Sequence, residues 1–126
     1  MEAKELLADL LGRTLYVVHS QPADGVVDDG RHLEAHLRHL ADWERSGVLF
    51  ASGPFRADGR VTSRAMYILR AAGLEEATAI AAEEPLHKQG VRRFTVDEWV
   101  LNQGRISLTL DFSTQQGGLD GDPQRR

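Results

Sequence analysis

Between Thr14 and Val100 the apolar spacing alternates between two periods in a fixed order: strand, helix, strand, strand, helix, strand. Thr14-Leu15-Tyr16-Val17-Val18-His19-Ser20 is rich in β-branched and aromatic residues and reads as a buried strand. Gln21 to Gly30 is a loop broken by Pro22, Gly25 and Gly30. Asp28 or Asp29 is placed to cap the helix that follows, which runs to about Ser46 and stops at Gly47. Val48 to Ser52 is the second strand, closed by Gly53-Pro54. Turn residues at Ala57 to Arg60 lead to a third strand, Arg64 to Arg70, antiparallel to the second. Leu74 to about Glu83 is a second helix, with Ala77, Ile80 and Ala81 inward, stopped or bent by Pro85. Val91 to Val100 is the fourth strand.

This order predicts an α+β fold of the ferredoxin-like βαββαβ type, an antiparallel sheet with both helices on one face. A short amphipathic helix over residues 2 to 11 precedes it, and Ile106 to Phe112 alternates as an extra C-terminal strand. The other sheet face needs a cover. With no further helix in the chain, a second copy is the cheapest one, so a homodimer is expected.

With 126 residues, a single domain over 1–112 is the expectation, and the apolar-poor stretch 113–126 reads as a disordered tail. The net charge of −4, with both signs mixed along the chain, argues against a nucleic-acid binder. No apolar run reaches membrane-spanning length, and Met1 to Leu7 lacks a signal-peptide pattern. The chain has no cysteine, which excludes a thiol nucleophile and suits a cytoplasmic setting.

His36 is the first candidate for chemistry. It lies at the edge of the helical stripe that carries Leu33, Leu37 and Leu40, where partial burial and a carboxylate bring an imidazole to a useful pKa. Its functional reading is general acid or base; its plain structural reading is a satisfied histidine at the rim of the core. Glu84, in Glu84-Pro85-Leu86-His87, is the candidate carboxylate, and the bend at Pro85 leaves Glu83 as the alternative. A carboxylate in the last turn of a helix opposes the dipole, which invites a specific partner. His87 is a second acid/base group, a ligand for a substrate oxygen, or a surface histidine. Arg64, Ser52 and Trp43 are candidates for substrate contact, with turn, strand or core roles as the alternatives. His32, His36 and His39 lie at helical spacings, and His32/His36 is the i, i+4 arrangement that zinc helices use, but the flanking charges read as an ordinary solvated face, so no metal and no cofactor are expected.

Four ordered blocks carry a resemblance: His36-Leu37, then Gly47-Val48-Leu49, then Ala51-Ser52-Gly53-Pro54, and finally Glu84-Pro85 followed by Gly90, Phe94 and Trp99. Together, over residues 14 to 102, they resemble YciI-like proteins of the YCII-related domain family. The resemblance implies a dimeric α/β barrel related to muconolactone isomerase, with a pocket holding the helix histidine and the aspartate of an Asp-Pro pair. It also implies an activity of the kind that eliminates chloride from a chlorinated hydroxyhydroquinone. This chain has Glu84 where the family pattern has aspartate, one methylene longer. The expected function is a cofactor-independent lyase or isomerase acting on a small oxygenated cyclic or aromatic metabolite, with His36 moving the proton and Glu84 orienting it. The alternative is a non-catalytic binding module of the same dimeric fold.

Overall fold

The computed structural model describes residues 2–119. They fall into two compact units, one over 12–101 and one formed by the segments on either side of it. The larger unit contains β1 (Arg13–Pro22), α2 (Leu33–Ser46), β2 (Leu49–Ala57), β3 (Arg60–Leu69), α3 (Leu74–Ala82), α4 (Pro85–Lys88) and β4 (Arg92–Leu101). The smaller contains α1 (Ala3–Ala8), β5 (Leu108–Leu110) and β6 (Gly117–Leu119).

The four long strands form one antiparallel sheet in the order β2-β3-β1-β4. With two helical connections on one side, this is the ferredoxin-like α+β arrangement. Alternation along β1 and β3 points Val18, Tyr67 and Leu69 at the helices, where they pack with Trp43 of α2 and Ala81 of α3. The opposite face carries Leu15, Val17 and Ile68, flanked by Met66 and Leu101. Gly47 ends α2 at φ 88°, a conformation that would cost any residue with a Cβ.

Several boundaries differ from the sequence expectation for identifiable reasons. Neither Asp28 nor Asp29 caps α2. Their carboxylates close local turns onto the N–H groups of Gly30 and Arg31, and His32 occupies the cap position. Gly53-Pro54 does not end β2, which runs on to Ala57. Proline is tolerated there because β2 is an edge strand, and the register shifts between Pro54 and Arg56. The extra strand is only Leu108–Leu110, and it pairs with Gly117–Leu119, within the stretch expected to be a disordered tail. The rest of that stretch, 120–126, lies outside the described residues.

Candidate functional site

Pro85 builds the acidic half of the site. The residue before a proline is pushed into extended backbone, and proline itself is favoured in the first turn of a helix. Glu84 therefore leaves α3 (φ −60°, ψ 129°) and becomes the N-cap of α4. The expectation of a carboxylate opposing the dipole of a helix C-terminus is corrected: α3 ends at Ala82, and Glu84 Oε2 accepts from the Leu86 N–H at the start of the next helix, 3.2 Å away. Glu83 points outward to Lys88 (3.3 Å), so Glu84 is the inward carboxylate.

The side chain of Glu84 is fully buried, and it meets α2 at His36. Nδ1 of His36 lies 2.5 Å from Glu84 Oε1 across 48 positions of sequence. Burial alone pushes the Glu84 carboxyl up. The hydrogen bond from His36, the charge that His36 and His87 carry when protonated, and the Leu86 N–H outweigh it and hold the group below its usual value. An ionised carboxylate only accepts, so Nδ1 carries the proton. In the neutral ring, Nε2 then keeps its lone pair, and the ring's hydrogen bond among the described residues is the one from Nδ1. The His36 side chain is 14 % exposed. The pair is thus a buried anion capped by an imidazole whose far nitrogen is free to take a proton.

His87 lies beside this pair but is wired elsewhere. Its Nδ1 donates to the Ala81 carbonyl (2.8 Å), and its Nε2 accepts from Ser20 Oγ (2.7 Å). Arg92 Nε donates to the same Ser20 oxygen (2.9 Å), and Arg92 Nη2 holds the carbonyls of Ser20 (2.9 Å) and Ser63 (2.6 Å). Burial lowers the His87 pKa and prevails over the opposing pull of Ala81 and Glu84. Tyr67 is buried alongside; desolvation and the Glu84 charge push its phenol up.

The other sequence candidates are not gathered at this pair. Trp43 is a core residue, edge-on to His39 (4.8 Å) and Tyr67 (6.2 Å). Arg64 lies over the Phe55 ring and lines a cavity that His36 and Glu84 do not line. Ser52 is an exposed residue of the edge strand. Among the described residues, no three His, Asp or Glu side chains are placed to hold a metal ion. Sequence reasoning missed Ser20, Arg92 and Tyr67. The available signal was Ser20, a polar residue two positions beyond Val18 on the same buried face of the strand.

Residues 14–100 match the model of the YCII-related domain. No curated protein matches the chain. Among solved structures, the chain is similar to the 5-chloro-2-hydroxyhydroquinone dehydrochlorinase of Burkholderia phenoliruptrix, determined with 2,5-dihydroxybenzoquinone. The TM-score is 0.50 at 18% identity, covering 68% of this chain and 92% of the other.

Proposed function

The chain belongs to the YCII-related domain family, and from that premise we propose that it is a small lyase or isomerase whose proton carrier is His36. The observation that supports this reading is the 2.5 Å contact of His36 Nδ1 with the buried Glu84 carboxylate, which leaves Nε2 as the basic nitrogen. Nε2 takes a proton from an oxygenated cyclic substrate, and the electron pair released expels a leaving group or shifts a double bond. Glu84 stabilises the imidazolium formed and holds the ring in one tautomer. In an elimination the leaving group departs with the bonding pair, and His36 later returns its proton to water. The residues named require no redox step.

The substrate class proposed is a halogenated or hydroxylated quinol, by analogy with the structural neighbour. The test is chloride release from 5-chloro-2-hydroxyhydroquinone by the purified chain and by His36→Ala. Release by the wild type that is lost in a folded H36A supports the reading. A folded H36A with full turnover refutes the role of His36. Binding of 2,5-dihydroxybenzoquinone without turnover of any quinol supports the binding-module alternative.

We propose further that two copies pair through the helix-free sheet face. It bears a shallow depression lined by Val17, Met66, Ile68 and Trp99 together with His19, Asp97 and Glu98, and Trp99 is 40% exposed. Covering such a patch is favourable at roughly 25 cal/mol per Å² of apolar surface. A cytoplasmic setting is proposed as well, in keeping with a chain that has no cysteine.

A further inference from the structure

One end of the sheet concentrates positive charge. Arg64 of β3 and Arg92 and Arg93 of β4 come together there, in a chain whose net charge is −4. Arg64 and Arg93 line a cavity of about 120 Å³, with His19 and Gln21 of β1 beside them and Phe55 and Phe94 as apolar walls. Among the described residues, no Asp or Glu lines it. His36, Glu84 and His87 do not line it, although Ser20, which bonds His87 at 2.7 Å, and Phe94, 4.5 Å from the His87 ring, do.

Each guanidinium is held by contacts that leave its charge largely unspent. The Arg64 guanidinium carbon stands 4.7 Å from the centre of the Phe55 ring, which fixes its plane without supplying a negative charge. Its guanidinium makes no hydrogen bond or ion pair among the described residues. Arg93 is oriented by Gln21: with the amide turned so that oxygen faces the guanidinium, that oxygen accepts from Nε (3.0 Å) and Nη2 (2.7 Å). The carboxylate near Arg93 is Asp24, at 3.9 Å and largely exposed. His19 is engaged by Asp97 (3.2 Å). Arg92 does not line the cavity, and among the described residues it bonds neutral oxygens of Ser20 and Ser63.

Arg64, stacked on Phe55 with its N–H groups unengaged among the described residues, and Arg93, held by the neutral Gln21 oxygen with the exposed Asp24 farther off, suit a carboxylate, which takes N–H donors in its own plane. The aromatic walls suit a flat apolar body. The volume is below the roughly 150 Å³ of a cavity that holds benzene, so it takes the carboxylate and only part of a ring, the rest standing outside the mouth. We propose that this cavity is a binding site for a small planar carboxylate of no more than one ring, with the carboxylate between Arg64 and Arg93. The site requires no step of the reaction proposed above, and it lies on the same sheet face as the depression proposed for pairing, His19 lining both.

The test is titration of the full-length ¹⁵N-labelled chain with sodium benzoate, followed by amide chemical shifts, with sodium phosphate and sodium chloride at matched ionic strength. The expected result is saturable shifts confined to amides around Arg64, Arg93 and His19, with a Kd on the order of 1 mM. Arg64→Gln combined with Arg93→Gln weakens binding at least about tenfold, while Arg60→Gln, outside the cavity, leaves it unchanged. Three results overturn the proposal: no saturation with benzoate, equal affinity in the double variant, or phosphate binding as tightly as benzoate, which marks a general cationic surface.

Discussion

His87 Nε2 lies 2.7 Å from Ser20 Oγ, and the opposite ring nitrogen donates to the Ala81 carbonyl at 2.8 Å. A carbonyl cannot donate, so the proton sits on Nδ1 and the serine hydroxyl points at Nε2. Arg92 donates to the same serine oxygen. A second proton on His87 therefore meets a hydroxyl already turned toward it and a guanidinium one atom behind. The fold holds this ring neutral, and the anionic partner it lies near, Glu84, stays committed to His36.

This wiring predicts an acid-side loss of stability in two steps. The His87 pKa is depressed in the fold below its ordinary 6.5, so the unfolded chain binds more protons in the window between the folded value and 6.5. Stability is fully present above 6.5 and falls as the pH drops through that window. Glu84 is likewise depressed below 4.5 and adds a second loss below that pH. Urea unfolding at a series of pH values should show both steps, and His87→Phe should remove the upper one. A wild-type curve flat from pH 7 to 5 contradicts the assignment.

Replacing Glu84 with glutamine tests the tautomer argument. The Leu86 N–H still needs an acceptor, so the new amide oxygen turns to it and the NH₂ faces His36. His36 Nδ1 must then accept, which moves the ring proton to Nε2 and removes the base. We expect turnover to fall by about 10²- to 10⁴-fold and stability by about 1–3 kcal/mol. Long-range ¹H–¹⁵N spectra of the imidazole should show the proton on Nδ1 in the wild type and on Nε2 in E84Q.

How much of this was legible in the sequence depends on the range of the interaction. Periodicity and punctuation located the four strands and two long helices, because the spacing of Val18, Trp43, Leu69 and Ala81 is local and the core they form follows from it. Gly47 and Pro85 acted where chain geometry alone decides. Gly53-Pro54 misled because its effect depends on whether the strand is at an edge, a property of the assembled sheet. The Ser20–Arg92 bonds span 72 positions, and no local rule announces a bond at that distance. His36 and Glu84 were nameable one at a time; their contact, 48 positions apart, exists only after α2 and α4 pack.

Arg92 is expected to stabilise the sheet end and tune His87 at once. It ties the Ser20 and Ser63 carbonyls of β1 and β3 through one nitrogen, and its charge depresses the His87 pKa. Arg92→Met should cost about 2–3 kcal/mol, on the scale of hydrogen bonds to a charged group. It should also raise the His87 pKa, narrowing the upper acid step. Arg92→Lys keeps a cation without the fork, so it should lose most of the stability while preserving the low His87 value. Denaturant midpoints combined with NMR titration of His87 separate the two effects.

The open sheet face gives the last prediction. Met66 and Ile68 point away from the helices, beside Val17 and Trp99, so a charge placed there barely disturbs the helix-facing core of Val18, Tyr67 and Leu69. If two copies meet through this face, Met66→Lys carries an ammonium into the contact at a desolvation cost, and the dimer should dissociate. Light scattering should report a mass near twice 14.0 kDa for the wild type and near 14.0 kDa for M66K, with far-UV circular dichroism unchanged. A conservative Met66→Leu change should leave the dimer intact, because volume and polarity are kept. A wild-type chain that runs as a monomer at high concentration removes the pairing, and the depression along Val17, Met66 and Ile68 must then face water or a different partner.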